Sequence, residues 1–297
     1  MLKLFYLIVA ISFMAPSSLW AKVNIFACEP EWAALTKEIG KSKVKVFSAT
    51  NAFQDPHYIQ ARPSLIAKIR KADLLVCSGA SLESGWLPLL LNHGSKQIQP
   101  NQIGNIMSDH YVETIEKPEK LDRAHGDIHF EGNPHTHLNP YNILIIAKEI
   151  SARLSNLDSE NSDFYKNNET DFANRWNSAI LNWQKKAKAL QGLKVISYHK
   201  SFSYFFAWLN IDNVASLEAK PGIPPTIKHL EKILKIVKQD NVKLTVLSPY
   251  DPLDSAKWMQ KQTDLKYIIL PYTIGGNSEV IDLFSLYDNS IELLLKK

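Results

Sequence analysis

Cysteine is scarce in this chain, with two residues in 297, Cys28 and Cys77. That excludes a disulfide-built scaffold, and the lack of any Cys-x-x-Cys argues against a structural zinc ribbon. Past Ala21 no apolar run approaches the roughly 20 residues needed to span a bilayer. None of the 11 glycines falls in a Gly-x-x-x-x-Gly-Lys-Ser/Thr pattern, so no phosphate loop is implied. A His-Glu-x-x-His helix is missing too, which removes the commonest signature of a zinc hydrolase. Charge of one sign is also wanting: 34 Lys and Arg against 30 Asp and Glu leave a formal +4 spread along the chain. With no basic stripe, neither nucleic acid nor a membrane surface is suggested as a partner.

What the chain does have begins at its first residues. In MLKLFYLIVAISFMAPSSLWA, Lys3 precedes an apolar run from Leu4 to Met14, and small residues lead to Ala21. This pattern predicts a secretory signal at 1–21 cut after Ala21, hence a mature protein exported to the periplasm. An uncleaved N-terminal anchor is the alternative. Lipidation would need a cysteine directly after the apolar run, whereas Cys28 follows VNIFA, which reads as a strand. In an oxidising compartment Cys28 and Cys77 either form one bridge or remain two buried thiols.

Strand-length apolar runs alternate with amphipathic stretches. Strands are predicted at 23–28, 43–50 and 73–79, with helices at 30–40 and 63–72. After the polar stretch 109–127, a helix opens at Pro140 and runs to 155. A long helix follows over 160–190, uninterrupted by Gly or Pro, with Phe164, Phe172, Trp176, Ile180 and Trp183 on a broken stripe. The alternation then restarts: strands at 193–198, 212–217, 242–248 and 266–271, helices at 201–209, 226–240 and 254–263. The fold class expected is α/β, two βα lobes with parallel sheets bridged by one long rigid helix, and a metal site in the interlobe cleft. The domain division predicted is 22–159, 160–190 and 191–297. In such sheets ligands sit beyond the carboxyl ends of the strands. Cys28 and Cys77 end the first and third strands, which are neighbours in a doubly wound order.

Histidines carry the chemistry. The segment HGDIHFEGNPHTHLNPYNI (125–143) holds His125, His129, His135 and His137, while QDPHYI holds His57 and VISYHKSF holds His199. A lone histidine is ordinarily a surface or core residue. His57, His199 and the 135–137 pair, however, all fall where strands of the two sheets end, around one cleft. Three or four imidazoles there suit zinc. His125 and His129 lie in a polar stretch, as transient captors of metal or as solvated side chains. His135 and His137 share a face only if the segment is extended. Asn139 and nearby carboxylates are candidates to orient a ligating imidazole through its second nitrogen. Glu83 and Trp86 read as loop anchors. Glu218 reads as part of a turn, 218–225, bordering the cleft.

The segments DPHYIQARPSLIAKIRKADLLVCSGASLESGWLP, GNPHTHLNPYN, LKVISYHKSFSYF and LPYTIGGNS run through nearly all of the mature chain. In order and content they resemble the periplasmic zinc- and manganese-binding solute-binding proteins of ABC importers. The resemblance implies metal held between two lobes and an ABC-type membrane permease as partner; a monomer is expected. It places the first three ligands at His57, His135 and His199. His137 occupies a position usually aromatic in that family. The family's fourth ligand is commonly a carboxylate after the last strands, where LPYTIGG has no acid. A three-histidine site is therefore expected, its fourth position holding water or closed by the mobile loop, with His129 the first candidate and Asp251 the second, and Asp254 beside it. A histidine set favours zinc over manganese, which prefers oxygen. Two alternatives stand: a periplasmic zinc chaperone without a dedicated permease, and a zinc-dependent hydrolase, for which no general base is evident.

Overall fold

The computed structural model describes residues 22–118 and 129–296. The predicted signal segment and residues 119–128, His125 among them, lie outside the described residues.

The first lobe is built on four parallel strands: β1 (Val23–Ala27), β2 (Val44–Ser48), β3 (Leu74–Cys77) and β4 (Asn105–Met107), in the order β2-β1-β3-β4. Between them run α1 (Pro30–Gly40), α2 (Pro63–Ile69) and the short α3 (Leu87–Leu91). Each opens with proline at its first turn, where the missing N–H costs nothing and φ is already helical. Then come α4 (Pro140–Leu157) and α5 (Ser162–Lys186). The second lobe repeats the plan with β5 (Lys194–Ser197), β6 (Asp212–Ser216), β7 (Leu244–Leu247) and β8 (Tyr267–Ile269), in the order β6-β5-β7-β8. Its helices are α6 (Ser203–Leu209), α7 (Ile227–Asp240) and α8 (Asp254–Thr263); α9 (Leu283–Leu295) closes the chain.

Three apolar cores hold this together. One lies outside the first sheet, around Phe26, Leu65, Trp86 and Leu90, and one outside the second, around Ile196, Ile233 and Met259. The third and largest is continuous between the sheets, taking in Val76, Ile146, Trp176, Val195 and Val246. The helix α5 runs through it. Trp176 and Trp183 meet edge to face at 5.0 Å, Trp183 stacks on Tyr287 of α9 at 4.8 Å, and the Trp176 indole N–H donates to the Pro140 carbonyl at 2.8 Å. A core shared by both lobes opposes large hinge motion, because separating them would expose these indoles.

The predicted βα plan and long helix are present, with α1 matching its expected range. Three elements went unpredicted. The three-residue β4 carries Asn105, and the five-residue α3 is too short to show a period; α9 follows the last predicted element. Cys28 and Cys77, at the ends of the adjacent parallel strands β1 and β3, are bridged, with Cα atoms 4.9 Å apart.

Candidate metal centre

Both sheets send the loops at the carboxyl ends of their strands into one cleft. His57 comes from the loop after β2, His135 from the long connection after β4, and His199 two residues beyond β5. Their ligating nitrogens all lie within 4.8 Å of one another. The ring centroids form a near-equilateral triangle with sides of 5.5, 5.6 and 5.8 Å.

Each imidazole is held by its Nδ1. The His57 Nδ1 lies 2.6 Å from Asp55 Oδ1, and the His199 Nδ1 2.8 Å from Glu218 Oε2. The His135 Nδ1 lies 2.7 Å from the Tyr272 hydroxyl, and the His129 Nδ1 2.7 Å from the Ala80 carbonyl. A carboxylate or carbonyl can only accept, so Nδ1 of His57, His129 and His199 carries the proton and Nε2 is left as the basic nitrogen. The His57 and His129 Nε2 atoms face each other at 3.1 Å. Two nitrogens on one tetrahedral zinc, at bond lengths of ~2.0–2.1 Å, sit about 3.3 Å apart. The wholly buried His135 Nε2 has no hydrogen-bond partner among the described residues. A buried nitrogen without a partner is costly unless a cation meets it.

The loops are pinned before any ion arrives. The Trp86 indole donates to the Pro56 carbonyl at 2.9 Å, fixing the residue beside His57. Glu83 accepts from the backbone N–H groups of Ser78 and Gly79, and Asp109 from that of Ala80. These bonds hold a turn in which Gly79, Ala80 and Ser81 all have positive φ, of 77, 46 and 64°. For Ala80 and Ser81 that backbone costs about 1–3 kcal/mol each, and it aims the Ala80 carbonyl at His129.

Electrostatics divide the histidines. Burial holds the His135 pKa well below the ordinary imidazole range, and the neighbouring His199 and His57 push it further down. For His199 burial also pulls downward, but the bond to Glu218 and the charges of Glu218, Asp251 and Asp55 outweigh it, so its pKa is raised. Asp251 accepts from the Ser248 N–H at 2.7 Å and is pushed up by burial to about 7. Two cavities flank the cluster, of about 370 and 240 Å³; both are lined by His199 and Glu218.

Of the sequence candidates, His57, His129, His135 and His199 come together. His137 does not. Residues 136–138 form a single tight turn, not an extended segment, so the His137 ring swings into the core. There its Nε2 meets the Tyr272 carbonyl at 2.9 Å, and its Nδ1 approaches Glu31 Oε1 at 3.1 Å without hydrogen-bond alignment. Asn139 caps α4 by accepting from the Tyr141 N–H and orients no imidazole. Sequence reading missed Asp55 and Tyr272 as partners of the ligand set and gave Glu218 only a bordering role. Asp55 was the recoverable one, two residues from His57 in the same loop; Glu218 and Tyr272 approach only through the fold.

The model of the family described as zinc-uptake complex component A, periplasmic, matches residues 25–295. A metal ABC transporter substrate-binding lipoprotein of Lactococcus lactis is 29% identical over 224 residues, 72% of this chain and 68% of that one. The manganese ABC transporter substrate-binding lipoprotein PsaA of Streptococcus pneumoniae is 26% identical over 225 residues, 73% of this chain and 70% of its own. Among solved structures, a crystal structure of ZnuA superposes with a TM-score of 0.78 at 20% identity, covering 92% of this chain and 98% of that one. The Mn-bound periplasmic metal-binding protein of Candidatus Liberibacter asiaticus gives 0.75 at 18%, covering 93% and 99%. A solute-binding role replaces the hydrolase alternative: the chain belongs to the ZnuA family, metal-binding substrate-binding proteins of ABC transporters, and is not an enzyme.

Proposed function

We propose that this protein captures zinc outside the cytoplasm with His57, His135 and His199 as ligands and His129 as the fourth, and delivers the ion to an ABC-type permease. The observation that supports it is the convergence of Nε2 atoms in a cleft where every Nδ1 is already engaged. Four imidazoles with no carboxylate among them favour zinc over manganese, a harder ion that prefers oxygen. The reading includes a signal at 1–21, a first lobe at 22–159, a connecting helix at 160–190, a second lobe at 191–297, and a monomer in the periplasm. Asp251 is the substitute for the fourth position should His129 leave it. A zinc chaperone without a dedicated permease would use the same ligands, and only the partner separates the two.

The test is a zinc titration of the mature chain with manganese as competitor. One tight zinc is expected, lost in His57→Ala, His135→Ala or His199→Ala and weakened in His129→Ala. It should not be displaced by equimolar manganese. Imidazole with a pKa of about 6.5 must shed its proton to ligate, so affinity should fall steeply below about pH 6. Affinity unchanged between about pH 7.5 and pH 5, or manganese preferred, would overturn the proposal.

A further inference from the structure

A second group of metal-competent donors lies in the first lobe, apart from the histidine cluster. Cys28, Cys77 and Glu83 place their sulfur and carboxylate atoms within 4.8 Å of one another, and all three residues are buried. Glu29, also buried at 1% exposure, hydrogen-bonds the Glu83 carboxyl, and its Oε1 has no hydrogen-bond partner among the described residues. Neither acid is needed to neutralise a buried lysine or arginine. Burial, and then the neighbouring charges of Glu83 and Glu31, push the Glu29 pKa well above the usual carboxyl range. A cavity of about 260 Å³ lined by Gly79, Ser81, Glu83 and Asp109 brings Glu83 to its wall.

We infer that Cys28, Cys77 and Glu83, joined by Glu29, form a second zinc site that the disulfide closes and reduction opens. Two sulfurs at strand ends fixed by the β1–β3 pairing stay near each other when the bond between them is cut. A dithiol reductant supplies two electrons and two protons: the Cys28–Cys77 bond breaks to two thiols, and the reductant becomes its own disulfide. Zinc then displaces both thiol protons to solvent. Two thiolates and the Glu83 carboxylate bind it, and the unpartnered Glu29 Oε1 is the fourth donor. The mixed sulfur–oxygen set suits zinc. Oxidation runs the sequence backward and expels the ion, so the bridge acts as a redox gate on a reserve of metal separate from the cleft.

The experiment counts zinc on the whole mature chain, oxidised and then reduced by a phosphine under exclusion of oxygen, with thiols titrated to confirm complete reduction. The expected result is one additional equivalent in the reduced protein, absent from the double variant Cys28→Ser, Cys77→Ser, which keeps its cleft zinc. Cobalt(II) gives a readout independent of any variant: reduction should bring up thiolate-to-cobalt charge-transfer absorption in the near ultraviolet, which an all-imidazole site lacks. Unchanged stoichiometry on confirmed reduction, no charge-transfer band, or an extra equivalent that survives in the double variant would each overturn the inference.

Discussion

At the scale of single residues, the site is decided by which nitrogen of each histidine is tied down. Asp55, Glu218 and Tyr272 take the Nδ1 atoms of His57, His199 and His135, whose ligating atoms lie within 4.8 Å of one another, and the Ala80 carbonyl takes that of His129, whose Nε2 lies 3.1 Å from the His57 Nε2. Such partners behind a ligand typically contribute 10–100-fold in metal affinity. Glu218→Gln keeps an acceptor for the His199 Nδ1 but removes the charge, and is expected to weaken zinc binding by about 10-fold, with Glu218→Ala nearer 100-fold. A titration showing no loss in either variant would deny Glu218 this role. His57 and His199 are legible because each follows a predicted strand end, and His135 because it follows Asn133-Pro134 in the segment that carries the family resemblance. Their partners Glu218 and Tyr272 are not, since nothing local links residue 218 to 199 or 272 to 135; the first contact exists only once β6 lies beside β5, and the second only once the loop after β8 meets the connection from the first lobe. His137 misled because alternation along a chain implies a shared face only for extended backbone, and the turn at 136–138 breaks that condition.

At the scale of elements, α5 is the member on which the relation of the lobes depends. Its buried residues Phe172, Trp176, Ile180 and Trp183 recur at helical spacing, which made the helix readable from sequence alone. Its mate α9 opens on a capping box formed by Asp282 and Ser285, but with serine in place of the usual Glu or Gln at the third helical position that start is not legible in the sequence. Trp176 is fully buried, touches Trp183, Phe284 and Tyr287, and bonds the Pro140 carbonyl. Trp176→Ala should therefore cost about 3–5 kcal/mol in urea unfolding. A loss under about 1 kcal/mol would mean that α5 is not part of the common core.

At the scale of the whole molecule, buried acids set how stability depends on pH. Burial pushes Glu83 from 4.5 up to about 7 and Asp251 from 3.8 up to about 7. Acids whose folded pKa is raised fold more favourably when protonated. Their contribution is complete below the ordinary carboxyl range and is lost as pH rises through about 7. The metal-free protein should accordingly show a falling melting temperature between about pH 5 and about pH 8, flattened in Glu83→Gln. A melting temperature that rises over that range would contradict this assignment of the acids.

The proposed function requires four imidazole nitrogens, and no carboxylate, around the captured ion. X-ray absorption at the zinc edge of the oxidised, one-zinc protein reads that directly. The expected spectrum has a first shell of four nitrogen scatterers at ~2.0–2.1 Å with the outer-shell signature of four imidazole rings, falling to three rings in His129→Ala. Three rings in the unaltered protein, with a carboxylate oxygen completing the shell, would contradict it and move the fourth position to Asp251.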